Sequence, residues 1–230
     1  MELLDGKTVL ISGGARGIGF ATASAFLAQG AHVAIFSKNP DSLHAAEAAL
    51  GARGELLAFV ADVRDRKKIE EALHAVGTHF GPVGVLVNNA GIAWSGDFAT
   101  QDYAGIEAVI GVNVTGALWL ARAVLPDMLA RGDGVIVNIA SGAGLAGYAE
   151  LASYCASKFA LVGFTEALDL EVRDRGIRVY AFCPGAVATD MQMQFSGERR
   201  GIPPERVAAR IVELAGARPR ARTGRCVTLP

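Results

Sequence analysis

The sequence predicts an α/β fold, a doubly wound parallel sheet of about seven strands with helices on both faces. Three observations carry this. Short β-branched and apolar runs alternate with helical patterns along all 230 residues, the order of parallel α/β proteins. Most of those runs are continuously apolar, as in strands covered on both faces. A glycine-rich segment joins the first strand to the first helix, Ser12-Gly13-Gly14-Ala15-Arg16-Gly17-Ile18-Gly19.

Lys7 to Ile11 reads as the first strand, and an apolar helical pattern follows the glycines to Gln29. His32 to Ser37 is the second strand. Asn39 then offers a helix cap with Pro40 at the first helical position, and that helix runs to about Leu50. Leu56 to Val60 is the third strand. Arg66 to His79 is amphipathic, with Ile69, Leu73 and Val76 at helical spacing. Val83 to Val87 is the fourth strand and ends in Asn88-Asn89-Ala90-Gly91; a long helical region covers about Asp102 to Arg131. Gly134 to Ala140 is the fifth strand, Ser153 to Arg173 a helix, and Arg178 to Cys183 a sixth strand broken by Pro184-Gly185. Pro203 to Ala215 is a capped helix and Arg225 to Leu229 a last short strand. No composition break or repeat marks a linker, so residues 1–230 are expected to form one domain.

Lys plus Arg number 22 and Asp plus Glu 23, leaving no overall charge to draw nucleic acid or anionic membrane. No run of 18 apolar residues appears, and the first residues lack the basic and apolar regions of a signal peptide. Cys155, Cys183 and Cys226 are odd in number and far apart. They suggest a reducing cytoplasm without a disulfide framework, and no Cys/His spacing suggests a metal.

In such a sheet the ligand crevice lies beyond the carboxyl ends of the strands. The glycine segment sits at the first of these ends. A helix N-terminus carries unpaired N–H groups and the positive end of the helix dipole, and glycines let the backbone approach a phosphate. At the end of the second strand, Ser37-Lys38-Asn39 holds no acid to accept from a ribose; Asp41 reads as a first-turn helix residue. Lys38 and Arg16 are placed to reach a 2′-phosphate, with Ser37 donating to it. NADP is therefore expected over NAD, with NAD the alternative.

Tyr154 and Lys158 open one helix four residues apart, on one face. A free phenol, with its pKa near ~10, is a poor base at neutral pH; an adjacent ammonium favours the phenolate. Ser141 ends the fifth strand, thirteen residues before the tyrosine, and Asn113 is polar among Val109, Ile110, Val112 and Val114. Singly these are an ordinary helix-start tyrosine, a surface lysine, a turn serine and a capped asparagine. Together, at these strand ends, they are not.

With these residues in order, the chain resembles the short-chain dehydrogenase/reductase superfamily over nearly its whole length. The family's Thr-Gly-x-x-x-Gly-x-Gly appears with Ser12 for threonine, its Asn-Asn-Ala-Gly as Asn88 to Gly91, and its Tyr-x-x-x-Lys as Tyr154 to Lys158. The resemblance implies a Rossmann-type, NADP(H)-dependent carbonyl reductase or secondary-alcohol dehydrogenase. Tyr154 would exchange the proton, Ser141 would polarise the oxygen, Lys158 would bind the nicotinamide ribose and lower the tyrosine pKa, and Asn113 would hold a water. It places the cofactor on Ser12, Gly13, Arg16, Gly17, Ile18, Gly19, Ser37, Lys38, Asp62, Val63, Asn89, Ala90, Gly91, Tyr154, Lys158, Pro184, Gly185, Val187 and Thr189. Asp62-Val63 lie on its adenine side, and the Pro184 to Thr189 turn holds the carboxamide. No metal is needed.

Two departures shape the remaining expectations. Asp190 to Ile202 is short and polar where the family has a longer substrate cover, so a small or mobile lid over about 190–202 and an open site are expected. Gly142 to Gly147, Trp94 and Met191 to Phe195 would line it and suit an apolar carbonyl. The chain also stops at Pro230, without the glycine-containing tail that often joins subunits. A homotetramer is still expected, with a dimer as the alternative, from helix faces through Leu118, Leu125, Leu161, Phe164 and Leu168. Two other readings remain: a 3-oxoacyl-carrier-protein reductase meeting an acyl carrier protein through Arg131 and Arg175, and a non-catalytic dinucleotide-binding sensor. Cys155 reads as a small helix-packing residue.

Overall fold

In the computed structural model, residues 4–216 and 221–229 are described, without the side chains of Phe195 and Ser196. The strands are β1 (Thr8–Ser12), β2 (His32–Ser37), β3 (Leu56–Val60), β4 (Val85–Asn88), β5 (Gly134–Ile139), β6 (Ile177–Pro184) and β7 (Cys226–Leu229). The helices are α1 (Gly17–Leu27), α2 (Pro40–Leu50), α3 (Arg66–Phe80), α4 (Tyr103–Ile110), α5 (Gly116–Arg131), α6 (Ala152–Val172), α7 (Asp190–Ser196) and α8 (Pro204–Ala215). All strand pairs are parallel, in the order β3-β2-β1-β4-β5-β6-β7. The chain winds outward from β1 in one direction and from β4 in the other, so the loops after these two strands diverge and leave a crevice between them.

Each strand is apolar along its length because both of its faces are covered. Val9, Ile11, Val33, Ile35, Val85 and Val87 pack with α1, α2 and α8 through Phe26, Leu43 and Ile211. The residues between them, Leu10, Ala34, Phe36 and Leu86, pack with α3, α5 and α6 through Ile69, Leu120 and Val172. Alternate side chains of a strand point to opposite faces, so one run serves two cores. The ends of α2 follow the sequence: the Asn39 side chain accepts from the Ser42 N–H at 2.9 Å, with Pro40 in the first turn.

Three expectations change, and the lid segment gains detail. The long helix of 102–131 is interrupted by a π turn at Gly111–Thr115, which separates α4 from α5. By length and composition the whole stretch Tyr103–Arg131 is apolar enough to cross a membrane, yet Leu120, Ala121, Val124 and Met128 are buried in the core against the sheet. The segment after Thr189 is the two-turn helix α7. The Thr189 hydroxyl accepts from the Gln192 N–H at 3.4 Å, and Gly197 ends the helix in the left-handed region at φ 71°. Cys183 and Cys226 are joined as a disulfide, with Cα atoms 6.2 Å apart. The β6–β7 register sets Ala181 beside Cys226 and so brings Cys183 diagonally opposite it, within disulfide reach. Sequence separation hides that pairing, and cysteine usage no longer argues for a reducing compartment. Finally, Leu161 and Leu168, expected on an assembly face, are 2 % and 7 % exposed in the core, and Leu125 and Phe164 pack against it. The large apolar side chains left outside on these helices are Trp119, Phe159 and Leu170.

Candidate active site

A cleft of about 790 Å³ runs along the carboxyl edge of the sheet, across the divergence of β1 and β4. At one end it is lined by Arg16, Ser37, Lys38, Asn39, Asp62 and Val63, and at the other by Ser141, Tyr154, Lys158, Pro184, Gly185, Val187 and Thr189. Gly13, Gly17, Ile18, Asn89, Ala90 and Gly91 line its middle. Three of the expected residues, Ser12, Gly19 and Asn113, stand behind this wall and shape it.

Ser12 and Asn89 tie the two diverging loops together. The Ser12 hydroxyl accepts from the Asn89 and Ala90 N–H groups at 3.1 and 3.0 Å, and Asn89 Nδ2 donates to the carbonyls of Ser12 and Gly13 at 3.0 Å each. A Cβ on Gly19 would lie 2.2 Å from the Gly13 carbonyl oxygen, so only glycine lets α1 start so close under the loop. No side chain caps α1 at Arg16, which leaves its first N–H groups facing the cleft. A helix start of this kind suits a phosphate. Together with its length and its two polar ends, the cleft therefore fits a nicotinamide dinucleotide.

At the Lys38 end, Asp62 accepts from the Arg64 backbone at 2.9 Å and pairs with its guanidinium at 2.7 Å. The Arg64 hydrogen bond is the main cause of a carboxyl held below the usual range, and Lys38 adds to it. Sequence reasoning missed Arg64, whose only signal is its place two residues after an aspartate at a strand end. Arg16 reaches Asp190 of α7 at 4.0 Å, and Arg199 also pairs with Asp190.

The other end is drier. Tyr154 is 7 % exposed and Lys158 4 %. Burial raises the Tyr154 pKa above the usual phenol value, and a hydrogen bond with Ser141 offsets part of that. Lys158 Nζ donates to the Ile139 carbonyl at 2.8 Å and sits 5.5 Å from the centroid of the Tyr154 ring. Burial lowers its pKa to about 8. Burial weakens the charged form of both groups and so opposes the lowering of the tyrosine expected from the lysine. Ser141 Oγ also accepts from the Ala143 N–H at 3.2 Å, which aims the hydroxyl into the site.

The π turn presses Asn113 inward, where it is 1 % exposed. Its carboxamide pairs with the Ile92 backbone like a strand partner, accepting from N–H at 2.8 Å and donating to the carbonyl at 2.9 Å. Its second amide hydrogen goes to Ser157 Oγ at 2.9 Å, and Ser157 donates to the Tyr154 carbonyl at 2.7 Å. Asn113 thereby fixes the first turn of α6. Its Oδ1 and Lys158 Nζ lie 3.5 and 3.6 Å from the Cβ position of Gly91, flanking one spot.

Below it a second buried chain was missed. Asn88 donates to Asn138 at 2.8 Å, and Asn138 donates to Thr165 at 2.9 Å, joining β4, β5 and α6. Of the expected lid and lining residues, Gly142, Ala143, Met191, Gln192 and Gln194 line the cleft, while Trp94 instead covers Gly96. The Phe195 side chain lies outside the described residues. Arg131 is engaged with the Val83 carbonyl at 2.8 Å.

The sequence matches the family described as short chain dehydrogenase over residues 7–200. It is 38% identical over 192 residues to the D-threitol dehydrogenase of Mycolicibacterium smegmatis, covering 82% of this chain and 73% of that protein. It is 39% identical over 196 residues to 2-(S)-hydroxypropyl-CoM dehydrogenase 3 of Xanthobacter autotrophicus, covering 84% and 77%. The crystal structure of levodione reductase superposes with a TM-score of 0.92 at 29% identity, covering 98% of this chain and 96% of that one.

Proposed function

Because the chain belongs to the short chain dehydrogenase family and is an oxidoreductase of CH–OH and C=O groups, we propose that it is an NADP(H)-dependent carbonyl reductase and secondary-alcohol dehydrogenase. The observation that carries this is the convergence of Tyr154, Ser141 and Lys158 at the dry end of a cleft whose far end carries Lys38, Ser37 and Arg16. When bound, the nicotinamide supplies or accepts the hydride and, oxidised, brings a positive charge.

The chain's own residues do the rest. Tyr154, kept protonated by burial, gives its proton to the substrate oxygen in reduction and receives it in oxidation. Ser141 shares that oxygen and polarises it. Lys158, anchored on Ile139, holds the nicotinamide ribose, and Asn113 keeps a water between Lys158 and solvent while fixing Tyr154 through Ser157. Gly13, Gly17 and Ile18 present backbone to the pyrophosphate; Ser12, Gly19, Asn89, Ala90 and Gly91 hold that surface in shape. Asp62 and Val63 flank the adenine. Pro184, Gly185, Val187 and Thr189 meet the carboxamide. Residues 1–230 act as one oxidoreductase domain with α7 and the segment to 202 as its lid. The enzyme is a homotetramer, assembled through the apolar side chains that α5 and α6 leave outside.

Lys38 selects NADP through the 2′-phosphate, with Arg16 turning to it from its long contact with Asp190; both are exposed, so each contributes about 1 kcal/mol or less alone. Lys38→Ala should lower the NADPH-over-NADH preference in kcat/KM by about twofold to fivefold. An unchanged preference refutes the NADP assignment and leaves the oxidoreductase intact.

A further inference from the structure

The cleft separates its charges from its substrate end. Its charged lining residues among those described are Arg16, Lys38, Asp62, Lys158 and Asp190. Lys38 and Asp62 stand at the adenine end. Lys158 is turned onto the Ile139 carbonyl, away from the substrate. Of the cations around the lid, Arg16 and Arg199 are directed at Asp190 and Arg200 at Glu198. Tyr154 packs in one apolar cluster with Ala93, Leu151 and Met191, and the cleft lining also holds the neutral Tyr148, Ala186 and Gln192.

The loop before α6 is shaped to present one of these. Glu150 takes φ 63°, the one left-handed residue other than glycine among the described residues, a conformation that costs stability and gathers at functional sites. The turn is held by Glu150 accepting, at its carbonyl, from the Gly96 N–H at 3.0 Å. It sets Tyr148 and Leu151 on the cleft wall and leaves the Glu150 carboxylate outside, between them in sequence. The Tyr148 hydroxyl lies 3.6 Å from the Cβ position of Gly142, the neighbour of Ser141. A neutral hydroxyl therefore stands beside the group that polarises the reacting oxygen.

Resting on the oxidoreductase reading above, we infer that the substrate is a neutral carbonyl compound or alcohol with a second neutral oxygen function near the reacting carbon, a hydroxyketone, diketone or vicinal diol, and that Tyr148 binds this second oxygen. A carboxylate or sulfonate entering the same end would lose its water against largely apolar walls and find the nearby cations already paired with Asp190.

The test is a matched pair of small ketones, acetoin and acetoacetate, reduced by the wild-type enzyme at low ionic strength. The inference expects kcat/KM at least about tenfold higher for acetoin. It also expects Tyr148→Phe, at a half-exposed position, to raise KM for acetoin by about threefold to tenfold with little change in kcat, while 2-butanone is unaffected. Gln192→Arg should move the acetoacetate-to-acetoin ratio upward. Equal or better use of acetoacetate by the wild type overturns the inference and leaves the oxidoreductase reading standing, as does an unchanged acetoin KM in Tyr148→Phe. No oxidation of NADPH or NADH with any carbonyl overturns both.

Discussion

Lys158 is a fully buried amine with a pKa of about 8 against an ordinary 10.5, and the sign of its effect on stability follows. Below pH 8 both folded and unfolded chains carry the charge, so folding bears the whole cost of burying it. Between about 8 and 10.5 the unfolded chain keeps the proton and the folded one releases it, so stability rises with pH. The cost at pH 7 is about 3 kcal/mol. Lys158→Met should thus melt above wild type at pH 7, with the gap narrowing toward pH 10; a gap constant across that range contradicts the burial of the amine. The sequence showed which residues meet here, because Tyr154 and Lys158 share a helix face. It did not show how deeply both are buried, since burial is set by Ile139 and Asn113 from distant segments. Ser157, Asn138 and Thr165 went unnoticed for a related reason. Each is an ordinary helix or strand residue until its partner across the sheet is known.

Among the elements, those with local signals were legible. Asn39-Pro40 marks the start of α2 where the structure has it, and His32 to Ser37 and Leu56 to Val60 are β2 and β3 residue for residue. The π turn was not legible, because an extra residue in a helical turn leaves the apolar periodicity nearly intact; what it achieves is the inward placement of Asn113. The α7 helix had its cap and stop in view, Thr189 and Gly197, but its short polar run carries no apolar periodicity to mark a helix. The β6–β7 disulfide depends on strand register and no local pattern announces it. It closes the chain over a separation of 43 residues, enclosing the Pro184 turn, α7 and α8, and such a link contributes about 4 kcal/mol. Dithiothreitol should lower the wild-type Tm by on the order of 10 °C, and Cys226→Ser should show the lower value with or without it. Two alkylatable thiols at these positions in the untreated protein, with a Tm indifferent to reductant, would contradict the pairing.

At the scale of the molecule, the doubly wound parallel arrangement was readable from strand–helix alternation and continuously apolar strands, and it puts every strand's carboxyl end on one edge. The cleft is a consequence of topology; its chemistry is a consequence of which side chains end the strands. Assembly was less legible, because an apolar helix face reads the same whether it meets a core or a second subunit. Leu161 and Leu168 meet the core, whereas Trp119 of α5 and Phe159 and Leu170 of α6 stay outside. The proposed tetramer therefore rests on those exposed side chains. Light scattering at micromolar concentration should give four times the monomer's 23.9 kDa; a monomer refutes it.

The central claim is that this cleft moves a hydride to a carbonyl with Tyr154 as the proton donor. It is tested most directly by following NADPH absorbance with a panel of neutral ketones, in wild type and Tyr154→Phe, alongside NADPH binding to each. The account predicts turnover by wild type, a loss of about 100-fold to 10,000-fold in kcat for Tyr154→Phe, and similar NADPH affinity in both. Near-normal turnover by Tyr154→Phe would contradict it.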